Sequence, residues 1–200
     1  MKVIEQSIEL LQITDNPEKF IEKCGRICYK SENKITKDSA SKFVKKLIEK
    51  GHESVIEHAY ATFKIITDRG ISHEIVRHRI ASYSQESTRY IAYKEEIEVI
   101  APYNFHNHSK KYIMWFNLMS QIEDTYHALL EKGVSPQHAR DILPTCLKTE
   151  LVMTANFREW RHFIKLRSSN ASHPKIRDIA NKIKDVLVDY APNIFGDVQY

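Results

Sequence analysis

Glycine is scarce in this sequence. Five glycines occur in 200 residues and none cluster, so there is no Gly-x-Gly-x-x-Gly turn. A dinucleotide bound here has to be held by side chains, chiefly arginines, and not by a Rossmann-type backbone cradle. Cysteine is scarce too. Cys24, Cys28 and Cys146 are an odd number with no Cys-x-x-Cys pair. That excludes a disulfide scaffold and predicts free thiols in a reducing compartment, with Cys24 and Cys28 as small buried groups on one helix face. No apolar run reaches membrane-spanning length, and Met1-Lys2-Val3-Ile4-Glu5 has no signal-peptide core, so a cytoplasmic protein without a membrane partner is expected. A net charge of +4 fits an anionic ligand but does not by itself argue for nucleic acid. His106 and His108 alternate in a polar stretch without a cysteine or carboxylate cluster. They read as surface loop residues, and no metal is expected.

A length of 200 residues with 42% hydrophobic and 28% charged residues suits one soluble domain with a real core, spanning 1–200. Val3 to Ile13 reads as a first strand. A helix capped by Asp15 or Asn16 follows, with Pro17 in its first turn. A second helix starts near Thr36 or Asp38 and is stopped by Gly51. Ala59 to Thr67 is rich in aromatic and β-branched residues and predicts a strand, and Glu98 to Ala101 a short one. Helices are expected over Ser109–Lys132, from Ser135-Pro136 to Pro144, over Phe157–Ser168 with Trp160, Phe163, Ile164 and Leu166 inward, and from His173-Pro174 to Pro192. Thr149 to Asn156 is strand-like. Helices outnumber strands and do not alternate with them one by one, which argues for an α+β fold with a small, mostly antiparallel sheet.

One stretch concentrates the chemistry. Arg77 to Tyr90 holds three arginines, one histidine, three serines and two tyrosines. It predicts a helix that ends near Arg79, opens into a polar loop because serine hydroxyls compete with the backbone, and straightens at Thr88-Arg89-Tyr90. Arg69, His73 and Arg77 would share a helix face. Guanidinium forks and serine hydroxyls suit a bound phosphate.

Arg77-His78-Arg79 followed by seven residues and Ser87 resembles the signature of the flavin-dependent thymidylate synthases. Gly51-His52-Glu53-Ser54 with Glu57-His58, Ala139-Arg140, Leu143-Pro144, Asn156-Phe157-Arg158, His162 and Leu166-Arg167 follow in that family's order. The resemblance implies methylation of dUMP to dTMP, with 5,10-methylenetetrahydrofolate as carbon donor and FAD, reduced by NADPH, as hydride source. It implies FAD contacts at Ser54, Arg77, His78, Arg79, Gln85, Asn156, Phe157, Arg158 and His162. It places the nucleotide at Glu74, Arg77, Gln85, Glu86, Ser87, Thr88, Arg89, Arg140 and Arg167, and gives His52 a part in shaping the flavin and folate region. Arg167 takes the catalytic role of stabilising negative charge on the uracil ring. Ser87 reads as a hydrogen-bonding group for the nucleotide, with a nucleophile as the lesser alternative. A homotetramer with shared active sites, and no nucleic-acid partner, is implied as well. Two other readings stay open from the residues alone. One is a basic nucleic-acid-binding surface built on Arg77, Arg79, Tyr83, Arg89 and Tyr90; the other is a flavoprotein of the same fold with another substrate.

Overall fold

The computed structural model describes residues 1–198 of the 200. In chain order the elements are β1 (Lys2–Ile4), β2 (Ser7–Ile13), α1 (Pro17–Ile27), α2 (Ser39–Glu49), β3 (Tyr60–Asp68), α3 (Arg69–Ile75), β4 (Ala81–Gln85), β5 (Glu98–Ile100), α4 (Lys110–Glu131), α5 (Pro136–Ala139), β6 (Lys148–Asn156), α6 (Phe157–Arg167), α7 (Pro174–Tyr190) and α8 (Pro192–Phe195). Short 3₁₀ turns at Glu32–Lys34, Glu53–His58 and Arg140–Ile142 fill three of the connections. The mixture is α+β. One sheet has the order β2-β3-β6-β4, and a second pairs β1 with β5 in parallel. No helix of the described residues is long and apolar enough to cross a membrane.

Residues group into two compact units. The first comprises Met1–Ser7, Ile65–Val76 and Ser84–Leu151; the second comprises Ile8–Lys64, Arg77–Tyr83 and Val152–Tyr200. In the first, Ile97, Val99, Tyr126, Ala139 and Leu147 form a buried cluster against which Val3, Trp115, Leu129 and Ile142 pack. The serine that opens α4 works as its sequence suggests: Ser109 Oγ accepts from the Tyr112 N–H at 3.2 Å. Gly133, at φ +82°, then ends the helix in a backbone conformation that a side chain would strain.

In the second unit α6 and α7 are large contributors to the core, with Phe157, Trp160, Phe163 and Ile164 from the first and Ile176, Ile179, Ile183 and Leu187 from the second. Trp160 is fully buried, donates its indole N–H to the Ala61 carbonyl at 3.0 Å, and meets Phe63 and Phe163 edge-on. Helices α1 and α2 approach closely at Gly25, where a Cβ would lie 2.8 Å from the Phe43 ring. Near them the buried Glu22 carboxylate is satisfied by Arg26 at 2.7 Å and by Ser39 Oγ at 2.8 Å.

The structure corrects several local expectations. Val3 to Ile13 forms two strands, not one. Asn16 precedes α1 in a left-handed conformation, φ 44°, and its side chain makes no cap. Cys28 is exposed and Cys24 only half-buried, because α1 turns Ile21, Glu22 and Gly25 inward instead. Leu166, expected inward, is 47% exposed. The largest change is around the basic motif. Helix α3 stops at Ile75, so helical spacing does not carry Arg77 onto the face of Arg69 and His73. The serine-rich segment is strand β4, and Thr88 to Tyr90 is a turn. Alternating small and larger residues in Ala81–Gln85 suit a pleat, and pairing within a sheet overrides weak local propensity.

Asp68 decides where α3 begins. It is buried, and its Oδ1 accepts the Ile71 N–H at 2.7 Å. Asp68→Ala is expected to lower stability to urea by about 1–2 kcal/mol, with most of the loss recovered in Asp68→Asn. An unchanged midpoint for the alanine variant would show that the cap contributes nothing.

Candidate active site

The Arg77-His78-Arg79 tripeptide sits in the second unit, starting in the turn that follows α3 and running toward β4. Its burial alternates: both arginines are exposed and His78 is 4% exposed. The histidine is thus an anchor with a cation on either side. Its ring lies along one stripe of α6. Glu159, Phe163 and Arg167 are spaced i, i+4, i+8, and all three meet the imidazole. Glu159 Oε1 is 2.9 Å from Nδ1, the Phe163 ring centroid is 4.8 Å away edge-on, and Arg167 Nε lies 3.1 Å from Nε2. The His162 ring is 5.4 Å off. The Tyr83 hydroxyl donates to the His78 carbonyl at 2.7 Å; burial first, then the Glu159 charge, pushes its pKa up to about 12.

The guanidinium and the carboxylate together set the tautomer. Arginine donates only, so His78 Nε2 must accept and Nδ1 must carry the proton that goes to Glu159. Burial is the main cause that holds the His78 pKa below the usual 6.5. The Glu159 hydrogen bond opposes this, and the Arg167 charge adds to it. His78, Glu159 and His162 offer ligand atoms within 4.8 Å of one another, a spacing that a divalent ion could bridge. But coordination through Nδ1 would leave the ring proton on Nε2, facing a guanidinium that can only donate. The donor set does not suit a metal.

Beside this cluster a cleft of about 560 Å³ is lined by Glu53, Glu57, Ile80, Asn156, Arg158, Glu159, Arg161, His162 and Lys165. Asn156, Arg158 and His162, three of the expected flavin contacts, therefore meet at one place. Asn156 also caps α6, its Oδ1 accepting the Glu159 N–H at 2.9 Å. Arg158 is exposed and paired with Glu57 at 2.6 Å and Glu53 at 3.9 Å; a solvated pair of this kind is easily exchanged for a ligand anion. Arg161 is different. It is buried, forks onto Asp197 at 2.5 and 2.9 Å, pairs with Glu53 at 3.2 Å and donates to the Ile194 carbonyl. Burial works against its charge, but the Asp197 and Glu53 carboxylates outweigh it and raise its pKa. Its role is to hold the wall of the cleft. Phe157 is fully buried on Phe195, and its N–H goes to the Ala59 carbonyl. Ser54 is exposed in the 3₁₀ turn Glu53–His58.

The expected nucleotide residues Glu74, Gln85 to Arg89 and Arg140 belong to the first unit; Arg77 and Arg167 belong to the second. Gln85 donates to Ser72 Oγ at 2.9 Å and to Thr149 Oγ1 at 3.1 Å. Glu86 accepts from the Tyr93 hydroxyl at 2.5 Å and lies 3.4 Å from Lys148. Burial first, and then Glu86, raises the Tyr93 pKa. Arg69 is a strut, not an anion ligand: it donates to the Glu86 carbonyl at 2.9 Å and to Thr149 at 3.2 Å. Ser87 Oγ accepts the Arg89 N–H at 3.3 Å and closes a turn. The Arg89 guanidinium reaches Gln137 at 3.4 Å and stacks 5.4 Å over Tyr90. Thr88 is buried, Glu74 is half-buried, and Arg140 is exposed.

A family model described as thymidylate synthase complementing protein matches residues 9–193. Proteins named flavin-dependent thymidylate synthase are similar over nearly the whole length. The one from Geobacter sulfurreducens is 35% identical over 198 residues, covering 95% of this chain and 85% of the relative. The one from Mycobacteroides abscessus is 36% identical, over 89% of this chain and 78% of its own. The one from Mycobacterium tuberculosis is 33% identical, over 90% and 79%. The chain belongs to the flavin-dependent thymidylate synthase family. Family membership spans both units and every motif named above.

The sequence does not single out Glu159, and it places Arg161 only on a helix face with Arg158 and Lys165 at i, i+3 and i+7. The only signal for Glu159 is Asn156-x-x-Glu159, the pattern of a capping box, which points to a local helix role and hides the contact with His78.

The His78 shift has a sign that can be checked. Above about pH 7 the group is neutral in both folded and unfolded chains. As pH falls through 6.5 the unfolded chain takes the proton first, so stability drops until the folded value is passed. Urea unfolding between pH 7.5 and 5.5 should show a steeper loss for the native chain than for His78→Asn. Equal slopes would mean that the buried ring titrates normally.

Proposed function

We propose that this protein makes dTMP from dUMP by reductive methylation, with 5,10-methylenetetrahydrofolate as carbon donor and FAD reduced by NADPH. The observation that carries this reading is the His78–Glu159–Arg167 cluster beside a cleft lined by Asn156, Arg158 and His162, in a chain of this family. The residues suit a flavin dinucleotide. With no glycine-rich loop, its diphosphate requires charge-assisted side-chain bonds, and Arg77, Arg79 and Arg158 are exposed to make them. Ser54, Asn156, His162 and the backbone at Phe157 complete the flavin contacts, with His78 behind them. When bound, the flavin supplies the hydride.

The chain's own residues bind and orient the nucleotide. Glu74, Arg77, Gln85 to Arg89 and Arg140 are assigned to it. Gln85 and Glu86 are already tied to Ser72, Thr149, Tyr93 and Lys148, so they present a preorganised edge. Gln85 is assigned to the flavin as well. Arg167 stabilises the uracil ring as its N3 proton is lost; a fixed cation beside a developing anion acts most strongly where water is excluded. Ser87 hydrogen-bonds the nucleotide. Its hydroxyl is engaged with a backbone N–H, and a nucleophile would need an adjacent oriented base. The assembly is a cytoplasmic homotetramer with shared sites, each chain acting as one domain over 1–200; light scattering should give the mass of four chains.

Purified protein should carry FAD or take it up, and Arg79→Ala should weaken FAD affinity by about tenfold or more in a fluorescence titration. Unchanged affinity would rule out this assignment of the motif, and a protein that binds no flavin would favour the nucleic-acid reading. Ser87→Ala should keep measurable turnover with a raised KM for dUMP. Complete inactivity with normal FAD and dUMP binding would favour covalent catalysis by Ser87.

A further inference from the structure

Nothing in the basic motif or in the Asn156–Arg167 segment assigns Glu159 a role beyond a helix cap. Its carboxylate turns instead to a buried ring. Glu159 is 7% exposed and His78 4%. Oε1 stands 2.9 Å from Nδ1, while Arg167 Nε stands 3.1 Å from Nε2 on the other side of the same imidazole. A neutral imidazole has one donor and one acceptor nitrogen. Arg167 requires the acceptor on its side, so the donor must face Glu159. Without Glu159 the Nδ1–H would be a buried donor with no acceptor, which costs about 1–3 kcal/mol. The ring would escape that cost by moving its proton to Nε2 or by turning over. Either change removes the acceptor that Arg167 uses.

We infer that Glu159 is a positioning residue: by accepting from His78 Nδ1–H it presents Nε2 to Arg167 and so sets where the guanidinium points. The catalytic part of this rests on the role proposed for Arg167. Burial and the Arg167 charge keep the ring neutral by lowering its pKa, which agrees with an imidazole that accepts on one side. The Phe163 edge and His162 close the ring's other contacts, so the imidazole has little freedom to find another partner. A misplaced guanidinium costs rate even when substrate still binds, because orientation is part of the barrier.

The test compares the native protein, Glu159→Gln and Glu159→Leu, each loaded with FAD. Solid-state ¹⁵N NMR of histidine-labelled protein reads the His78 tautomer, with its signals assigned by their loss in His78→Asn. The native chain and Glu159→Gln, whose amide carbonyl still accepts, should show Nδ1 protonated. Glu159→Leu should lose that state. Its kcat for dTMP formation should fall by about tenfold or more, while its FAD affinity stays within about threefold and Glu159→Gln recovers most of the rate. A helix cap alone would lower the melting temperature without moving the tautomer. If the leucine variant does not fold, Glu159→Asp, one methylene short of the ring, takes its place. An Nε2-protonated ring in the native protein overturns the inference. So does a leucine variant with native tautomer and native kcat, or equal loss of rate in both variants with the tautomer unchanged. A native protein with the Nδ1 tautomer but no dTMP formation refutes the proposed function and the catalytic consequence, and leaves the Glu159–His78–Arg167 geometry standing.

Discussion

The second unit depends on one constraint: a guanidinium cannot accept a hydrogen bond. Arg167 faces a buried imidazole, so in the intact cluster Nε2 of His78 accepts, Nδ1 bears the proton, and that proton needs an acceptor of its own. Glu159 meets the need from two turns earlier on the same helix. The helix repeat therefore does chemical as well as packing service. Positions 159, 163 and 167 give the ring an acceptor, an apolar floor and a donor. The alternation of the Arg77–Arg79 segment does the rest, burying the histidine and leaving an arginine exposed on each side.

Carboxylates are unexpectedly common in a cleft proposed to take an anionic cofactor. Glu53, Glu57 and Glu159 line it together with Arg158, Arg161 and Lys165. Burial separates their roles. Arg161 and Glu159 are almost fully enclosed and committed to protein partners, so they shape the wall. Arg158 and Glu57 form a pair open to solvent, where the net worth of an ion pair is small. A cofactor phosphate bound as proposed would displace Glu57 there at little cost.

In the first unit the polar residues are knit by the same principle of complete pairing. Gln85, Ser72, Thr149, Arg69, Glu86, Tyr93 and Lys148 satisfy one another through bonds of 2.5 to 3.4 Å. Such a network fixes the edge that carries Ser87 and Arg89 without using those two residues in its own support. Arg69 illustrates how a basic residue shortly before a basic motif can be structural: its guanidinium holds a backbone carbonyl and a threonine hydroxyl.

Patterns of period 2 and 3.6 were readable directly. Strand Lys148–Asn156 alternates buried and open positions along its whole length and Tyr60–Asp68 does so as far as Thr67, and α4, α6 and α7 fall close to their expected bounds, because each carries its own apolar face, caps and stops. The spacing of Arg77, His78, Arg79 and Ser87 was enough to point to the family. What local signals did not decide was everything that depends on a partner distant in the chain. Ala81–Gln85 looked like a loop and is a strand, since its pairing comes from elsewhere in the sheet. Arg69, His73 and Arg77 looked like one helix face, but the helix stops at Ile75. Glu159 carries only a local signal, its place three residues after Asn156 at the start of its own helix, and its contact with His78, 81 residues earlier in sequence, has no sequence signal at all. A sequence fixes which hydrogen-bonding groups exist and which lie near one another along an element; it does not say which of them will be buried together, and burial is what forces a group to take a particular partner.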